Sequence, residues 1–188
     1  MTYASGLCIL PDGTVLDGVA APLLGRVRDV TVELYDELHE RDPSVLTPCA
    51  VLAVAGVEVP LDRGTDLTED CCGQLWVRLV SSVPSRNFPE PDAGPHTAEM
   101  SWAVTIEVGV ARPAPVVTEV DGAAVLPPIE DEEEAASVAA IDAAILREAL
   151  LNRYADAEDV GIVLGAWTPF GPDGGIVGGL ITATIQVV

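Results

Sequence analysis

Residues 161–188 of this chain read GIVLGAWTPFGPDGGIVGGLITATIQVV, and this stretch decides the fold. Its second half alternates between apolar and polar residues, which is typical of a strand with one buried face. The first half is another β-prone run, and a loop rich in glycine and proline separates the two. We therefore predict strands at 161–168 and 179–188. One face of the second strand carries Ile181, Ala183, Ile185 and Val187, and the other carries Thr182, Thr184 and Gln186.

The composition is that of a folded and strongly acidic chain. Of its 188 residues, 49% are hydrophobic and only 4% are aromatic, so the core must be built from aliphatic side chains. There are 30 acidic residues against 9 basic ones, all of them arginine, for a formal net charge of -21. Such a chain is repelled by phosphate backbones, which argues against nucleic-acid binding through a basic patch. The acidity serves solubility, or it forms a surface that repels DNA, as a conduit or a DNA mimic would need.

The N-terminal residues and the cysteines indicate a reducing compartment. Residues 1–18 lack a basic start and contain Asp12 and Asp17, so they do not have the pattern of a secretory signal. No apolar run is long enough to predict a membrane span. The cysteines lack the spacing of a zinc site, and we predict reduced thiols that bind no metal and form no disulfide. They are Cys8, Cys49, Cys71 and Cys72.

Two segments show helical periodicity. In residues 19–39 the apolar side chains recur every three or four positions, and Asp42 and Pro43 end the predicted helix. Residues 133–154 form the second predicted helix, and the acidic run at 130–134 suits the positive end of its dipole. The apolar stripes are Val19, Leu23, Val27, Val30, Leu34 and Leu38 in the first helix, and Val138, Ile141, Ile145 and Ala149 in the second.

Three further runs have the pattern of strands and complete an α+β fold. They lie at 49–59, 74–83 and 101–110, and the last alternates most regularly. This order of elements favours a mostly antiparallel five-stranded sheet with two helices packed on one face. The chain, 1–188, is long enough for a single such domain, and it starts with an extended segment at 1–18. In the third strand we expect Trp102, Val104, Ile106, Val108 and Val110 to face the core, and Thr105 and Glu107 to face outward.

Two connections are too long and too rich in proline to be simple turns. They span 84–100 and 113–132, and compact domains seldom keep such loops without a use. We expect the first loop and the acidic segment 117–134 to project from the sheet and to contact other subunits. Arg86 and Phe88 are the expected anchors, because arginine and aromatic residues dominate binding energy at buried interface centres. Shielding of a sheet edge is the alternative use of the first loop.

No pattern predicts a catalytic, cofactor-binding or metal site. His39 lies at a helix end and His96 in a proline-rich loop, without the spacing of a dyad or triad. The acidic residues gather in runs and on helix faces, as solvated residues do. The paired glycines at 174–175 and 178–179 lack the lysine and following helix of a phosphate loop, and they favour a tight hairpin or bulge next to Trp167. We therefore predict that the chain is not an enzyme.

The order of motifs along the chain resembles a known family. An acidic residue precedes Cys-Cys-Gly-Gln at 71–74 and an alternating strand. A proline-rich loop and a strand opened by Ser-Trp at 101–102 follow, then an alanine-rich helix and a Gly-Gly hairpin ending in a threonine-rich strand. Over most of residues 15–188 this order resembles the neck and tail-terminator proteins of long-tailed phages of actinobacteria, and the absence of lysine suits a GC-rich genome. Residues 176–178 read Ile-Val-Gly, where a Cys-Ile-Gly-like sequence is expected, so the subgroup stays open.

The resemblance implies a virion structural protein. A tail terminator of this family is a small α+β subunit that forms a hexameric ring on the tail tube, stops tail polymerisation and meets the head-side connector or stopper protein. It would assemble in the host cytoplasm and remain in the neck of the virion, and DNA would pass through its lumen without specific binding. The alternative within the family is a neighbouring neck ring protein. The expected subunit contacts are Arg78, Arg86, Phe88 and Trp167.

A different class of function also fits the acidity: a cytoplasmic binding module, such as a DNA-mimic inhibitor. A mimic needs acidic residues at a regular surface spacing, whereas here they concentrate at a helix start and in scattered loops. A mimic is also expected to be a monomer or dimer, while a neck protein becomes a ring when it assembles. The size of the purified protein therefore helps to separate the two classes.

Overall fold

The computed structural model of the protein describes residues 7–9, 15–17, 20–54, 59, 61, 73–95, 101–120, 122–156, 160–173 and 175–187. Within these residues two helices and nine strands form an α+β fold, as predicted. Helix α1 spans Ala20–Arg41, and helix α2 spans Ile129–Glu148 and continues as a π-helical segment, Ala149–Ala155. The strands are β1 Leu7–Ile9, β2 Val15–Asp17, β3 Ala50–Val54, β4 Gln74–Ser85, β5 Ser101–Pro113, β6 Thr118–Val120, β7 Ala123–Val125, β8 Ile162–Asp173 and β9 Ile176–Val187.

Five strands form the central sheet in the order β3-β4-β5-β9-β8. β3 is parallel to β4 and the other neighbouring pairs are antiparallel, so the prediction of a mostly antiparallel five-stranded sheet is confirmed. The ladder between β5 and β9 runs from Trp102 opposite Val187 to Pro113 opposite Ile176. β1 with β2 and β6 with β7 form two separate antiparallel hairpins. The sheet is thus built around β5, with β3 and β8 at its edges.

Both predicted helices form. The apolar stripe of α1 is buried because its members recur every three or four positions on the face that meets the sheet; Leu23, Val27 and Leu34 are examples. α2 begins at Ile129, four residues before the predicted start at 133, and its first turn carries the acidic side chains that its dipole favours. Among the described residues, no helix combines the length and hydropathy that a membrane crossing requires.

The helices pack on one face of the sheet and bury an aliphatic core with it. The inward residues of β5 from Val104 to Val110 are fully buried, which confirms the predicted alternation there. Each such side chain contributes about 1.5–3 kcal/mol relative to exposure to water. At the end of the same strand, opposite Val187, Trp102 is 40% exposed. Its predicted place in the core is wrong, because the buried part of this strand begins only at Ala103.

The hairpin of β8 and β9 is longer than predicted. Most residues assigned to its glycine- and proline-rich loop lie in paired strands. The strand register shifts between Leu164 and Trp167 and again between Phe170 and Asp173. These bulges accommodate the extra residues of β8 that have no partner in β9. A Cβ at Gly179 would collide with the ring of Trp167. Glycine at this position therefore lets the indole ring pack directly against the backbone of β9.

Cys49 is disulfide-bonded, so the prediction of four reduced thiols is wrong. The residue directly precedes β3, and its backbone N–H donates to the carbonyl oxygen of Gly73 at 3.0 Å. The Sγ atom of Cys49 lies 3.3 Å from the same oxygen. Cys71 and Cys72 immediately precede Gly73 in the sequence and lie outside the described residues. The parallel pairing of β3 with β4 brings Cys49 next to Gly73, and the spacing of the cysteines along the chain could not show this contact.

Candidate assembly surface

The connection between β5 and α2 is an exposed hairpin, which we call the arm (residues 114–128). It starts beside the turn between β8 and β9, where the N–H of Ala114 donates to the carbonyl oxygen of Gly175 at 2.7 Å. β6 and β7 then pair around a tight turn in which Gly122 has a φ of 79°. The predicted loop at 113–132 is therefore wrong in its middle, which is a hairpin, and at its end, which belongs to α2.

Among the described residues, the densest group of exposed large apolar side chains lies in the arm and at its junction with α2. Four of the eleven exposed large apolar side chains among the described residues lie in the arm, and a fifth, Ile129, is the first residue of α2. A two-stranded hairpin is marginal in water by itself, and exposed aliphatic side chains add no stability to it. Such a group on a folded protein is typical of a binding surface. The exposed fractions are 50% for Val116, 56% for Val117, 45% for Val125, 75% for Leu126 and 70% for Ile129.

A buried ion pair holds the base of the arm. Arg112, one residue before the end of β5, donates from Nε and from one terminal nitrogen to the two carboxylate oxygens of Asp142, both at 2.6 Å. The side chains are only 6% and 2% exposed. The guanidinium also donates to the carbonyl oxygen of Leu46 at 2.9 Å, in the loop after α1. The pair thus ties β5, α2 and the end of α1 together where the arm leaves the sheet.

Tyr35 completes this network from α1. Its hydroxyl donates to Asp142 at 2.8 Å, and the guanidinium of Arg112 lies 6.0 Å from the centre of its ring. Burial raises the pKa of Tyr35 well above its usual value, and the negative charge of Asp142 raises it further. The hydroxyl therefore stays protonated and remains a donor, and the carboxylate of Asp142 accepts from both partners.

A cleft of about 930 Å³ lies beside the network, between α1, α2 and the base of the arm. Its rim is acidic, with Asp36, Asp131 and Glu134, and His39 also lines it. Among the described residues, no three histidine, cysteine, aspartate or glutamate side chains are placed to hold a metal ion. The cleft therefore offers a negatively charged surface next to the arm.

In the other predicted loop, 84–100, the described residues make contacts within their own subunit. Its first two residues belong to β4. Arg86 makes an ion pair with Asp92, Nε to Oδ2 at 2.7 Å, and donates to the carbonyl oxygen of Pro95 at 2.6 Å. Phe88 is half-buried, and a Cβ at Gly161 would lie 3.3 Å from its ring. Both expected interface anchors thus make contacts inside the subunit, although Arg86 remains 53% exposed. Their proposed role between subunits stays a prediction.

Arg78, another expected contact, forms an ion pair on the sheet face that points away from the helices. It donates to both carboxylate oxygens of Glu107, at 2.6 and 2.7 Å, and Glu107 also accepts from Nε1 of Trp76 at 3.0 Å. Glu107 was predicted to face outward and does so, but it is only 5% exposed. Burial raises the pKa of Glu107, and the hydrogen bonds from Arg78 and Trp76 outweigh this effect, so its pKa lies below the usual value.

Trp167, the fourth expected contact, lines a groove between α2 and the edge strand β8, which we call the α2–β8 groove. The groove has a volume of about 470 Å³. Ile181 is buried at its floor, and Trp167 and Leu164 are half-buried in its wall. Ala144 and Arg147 are exposed on its helical side. The groove is apolar except for the cation of Arg147, which has no acidic partner among the described residues.

The network at the base of the arm was missed by the sequence reasoning, although two signals indicated it. Arg112 follows Val108 and Val110 at the spacing of the inward face of β5, so an arginine at this position requires a buried partner. Asp142 lies next to Ile141 and three residues before Ile145, within the apolar stripe of α2. A charged residue of each sign on facing apolar surfaces is the pattern of a buried ion pair.

No protein-family model matches the sequence, and no curated protein is significantly similar to it.

Proposed function

We propose that this protein is a non-enzymatic structural subunit of a phage neck, a tail terminator that forms a hexameric ring on the tail tube. The observation that carries the proposal is the arm, with its exposed apolar side chains and its firmly held base. A free monomer gains nothing from such a hairpin, whereas a subunit that assembles can bury it. The order of motifs along the sequence, which resembles that of neck and tail-terminator proteins, supplies the biological setting.

The charge of the surface supports the same role. The acidic run Glu130–Glu134 is exposed and begins two residues after the end of the arm. In a ring, a high density of carboxylates keeps the passing DNA from adhering, because like charges repel. The partners in this proposal are other copies of the chain, the tail tube protein and the head-side connector or stopper protein. The protein would assemble in the host cytoplasm and remain in the neck of the virion.

The test is deletion of the gene from the phage that encodes the chain, followed by electron microscopy of the lysate. A missing terminator leaves tail tubes that keep growing and filled heads that carry no tail, and both defects should disappear when the chain is supplied from a plasmid. Tails of normal length joined to heads in the deletion phage would contradict the proposal. An inhibitor that mimics DNA would give this result, because virion assembly would not depend on it.

A further inference from the structure

We propose that the arm of one subunit docks in the α2–β8 groove of a second copy of the chain. This contact deepens the ring-forming function proposed above and rests on it. The arm supplies a short hairpin whose aliphatic side chains, Val117 and Leu126 among them, are exposed. The groove supplies an apolar floor and wall of Ile181, Leu164 and Trp167. Burial of the arm side chains there removes apolar surface of both partners from water.

Charge complementarity favours a second copy as the occupant. Arg147 on the rim of the groove is exposed and has no acidic partner among the described residues. Glu119 in β6 is a carboxylate that the arm exposes. The arm is therefore apolar with a negative charge, and the groove is apolar with a positive charge. Opposite charges at the rim of an apolar contact set its orientation and exclude other arrangements.

The positions of the two surfaces explain why the contact would build a ring. The arm leaves the sheet beside the turn between β8 and β9, while the groove lies on the second half of α2 and on β8. Two different surfaces of the same chain meet, so each bound copy still presents a free arm at one end and a free groove at the other. Such a heterologous contact propagates from copy to copy and closes into a ring when the rotation permits.

The small residues on both sides of the groove also suit a hairpin as its occupant. Ala143 and Ala144 line this side, and Gly165 and Ala166 lie opposite them on β8. Small side chains on both sides leave room for a backbone to approach closely. β8 is an edge strand of the sheet, so the docked hairpin would cover an edge that is otherwise open to other chains.

The decisive experiment exchanges the two charges. Variants Glu119→Arg and Arg147→Glu, and the double variant with both changes, are supplied from a plasmid to the deletion phage. Each single variant places like charges together and should lower the yield of infectious particles by at least about tenfold, while the double variant should restore most of it. Val80→Asp is the matched control, because Val80 is an exposed apolar residue, 49%, outside both surfaces, and it should rescue fully. Circular dichroism of each purified variant verifies folding.

Single variants that rescue normally, or a double variant that fails like the single ones, would overturn the arm–groove contact and leave the terminator function standing. If the proposed terminator function itself is wrong, the deletion phage makes normal tails, so the two failures can be told apart.

A second measurement identifies the molecule that occupies the groove. Leu126 is replaced by the photoreactive residue benzoylphenylalanine, and light and heavy isotope-labelled chains are co-expressed during assembly. Cross-links from Leu126 to residues 143–151 of the other isotope are expected, whereas links to the tail tube or connector protein would overturn the proposal.

Discussion

The two long connections of this protein are both rich in proline, but their structures differ. Both were predicted to be projecting loops. In the connection after β4, Arg86, Asp92 and Ser85 bind neighbouring backbone or side-chain groups, so the described part folds onto its own chain. In the arm, the exposed positions carry aliphatic side chains instead. Proline thus predicts where a connection leaves regular structure, and the polar partners along it decide whether it folds back or stays available to another molecule.

The largest expected effect is a loss of stability when the buried ion pair at the base of the arm is broken, compared with breaking the exposed ion pair of the first loop. Arg112→Ala should lower the free energy of unfolding by about 3–5 kcal/mol, because it leaves the buried carboxylate of Asp142 without its ion partner. Arg86→Ala should cost about 0.2–1 kcal/mol, since Arg86 is exposed to solvent. Urea denaturation followed by circular dichroism measures both. Equal losses would show that the base of the arm is no better anchored than the first loop.

A control keeps this comparison informative if Arg112→Ala does not fold. The triple variant Arg112→Met, Asp142→Leu and Tyr35→Phe replaces the buried ion pair, and the hydroxyl that donates to it, by apolar side chains of similar size. It should recover most of the lost stability, because well-packed apolar residues often replace buried ion pairs at little cost. A triple variant as unstable as Arg112→Ala would show that the loss came from packing and not from the unpaired carboxylate.

The next effect is the loss of stability when the hydroxyl of Tyr35 is removed, and its size depends on pH. Tyr35→Phe should cost about 1.5–3 kcal/mol near neutral pH, because Asp142 loses a hydrogen bond to its charged form. Since the folded-state pKa of Tyr35 is raised, its contribution is complete below the usual tyrosine pKa of about 10 and is lost as the pH rises through the folded-state value. The difference in urea stability between wild type and variant should therefore shrink in alkali. A difference that grows with pH would contradict the assigned network.

The smallest expected effects are the losses of stability when one apolar side chain of each connection is shortened to alanine. Phe88→Ala should lower the free energy of unfolding by about 1–2 kcal/mol, less than the loss for a fully buried phenylalanine, because its ring is half-buried near Gly161. Leu126→Ala, at an exposed position, should change it by no more than about 0.5 kcal/mol. Thermal or urea unfolding of the two variants measures the contrast. A larger loss for Leu126 would mean that the arm stabilises its own subunit.

The fold was largely predictable because it depends on periodicity. The alternation of β5 and β9 and the stripe of α1 indicate which faces are buried, and these faces meet in one core. The stripe predicted for α2 is right at Ile145 and Ala149, which are buried, and wrong at Ile141, which is 38% exposed. The errors lie where local sequence and tertiary pairing disagree. Glycine and proline near Phe170 predict a loop, but pairing with β9 holds these residues in a strand through shifts of register. The parallel partner of β3 is also invisible locally, since it depends on a distant strand.

The site was less predictable than the fold. Composition indicated that Arg86 and Phe88 are suitable interface residues, but it could not show that each already has a partner within the subunit. The exposed apolar side chains are instead those of Val117, Leu126 and their neighbours. The sequence alone does not show whether an aliphatic residue is buried or exposed. Only the three-dimensional arrangement separates apolar residues of the core from those of the arm.

The pairing of β5 with β9 has a consequence for the order of events during synthesis. Trp102 pairs with Val187 and Pro113 with Ile176, so the central strand leaves the ribosome well before one of its two neighbours exists. At roughly 5–20 residues per second, the delay is about 3–17 seconds. During this interval one side of β5 presents unpaired backbone groups, which can template pairing with another nascent chain. We therefore expect the yield of native protein to fall when translation is slowed between β5 and β9.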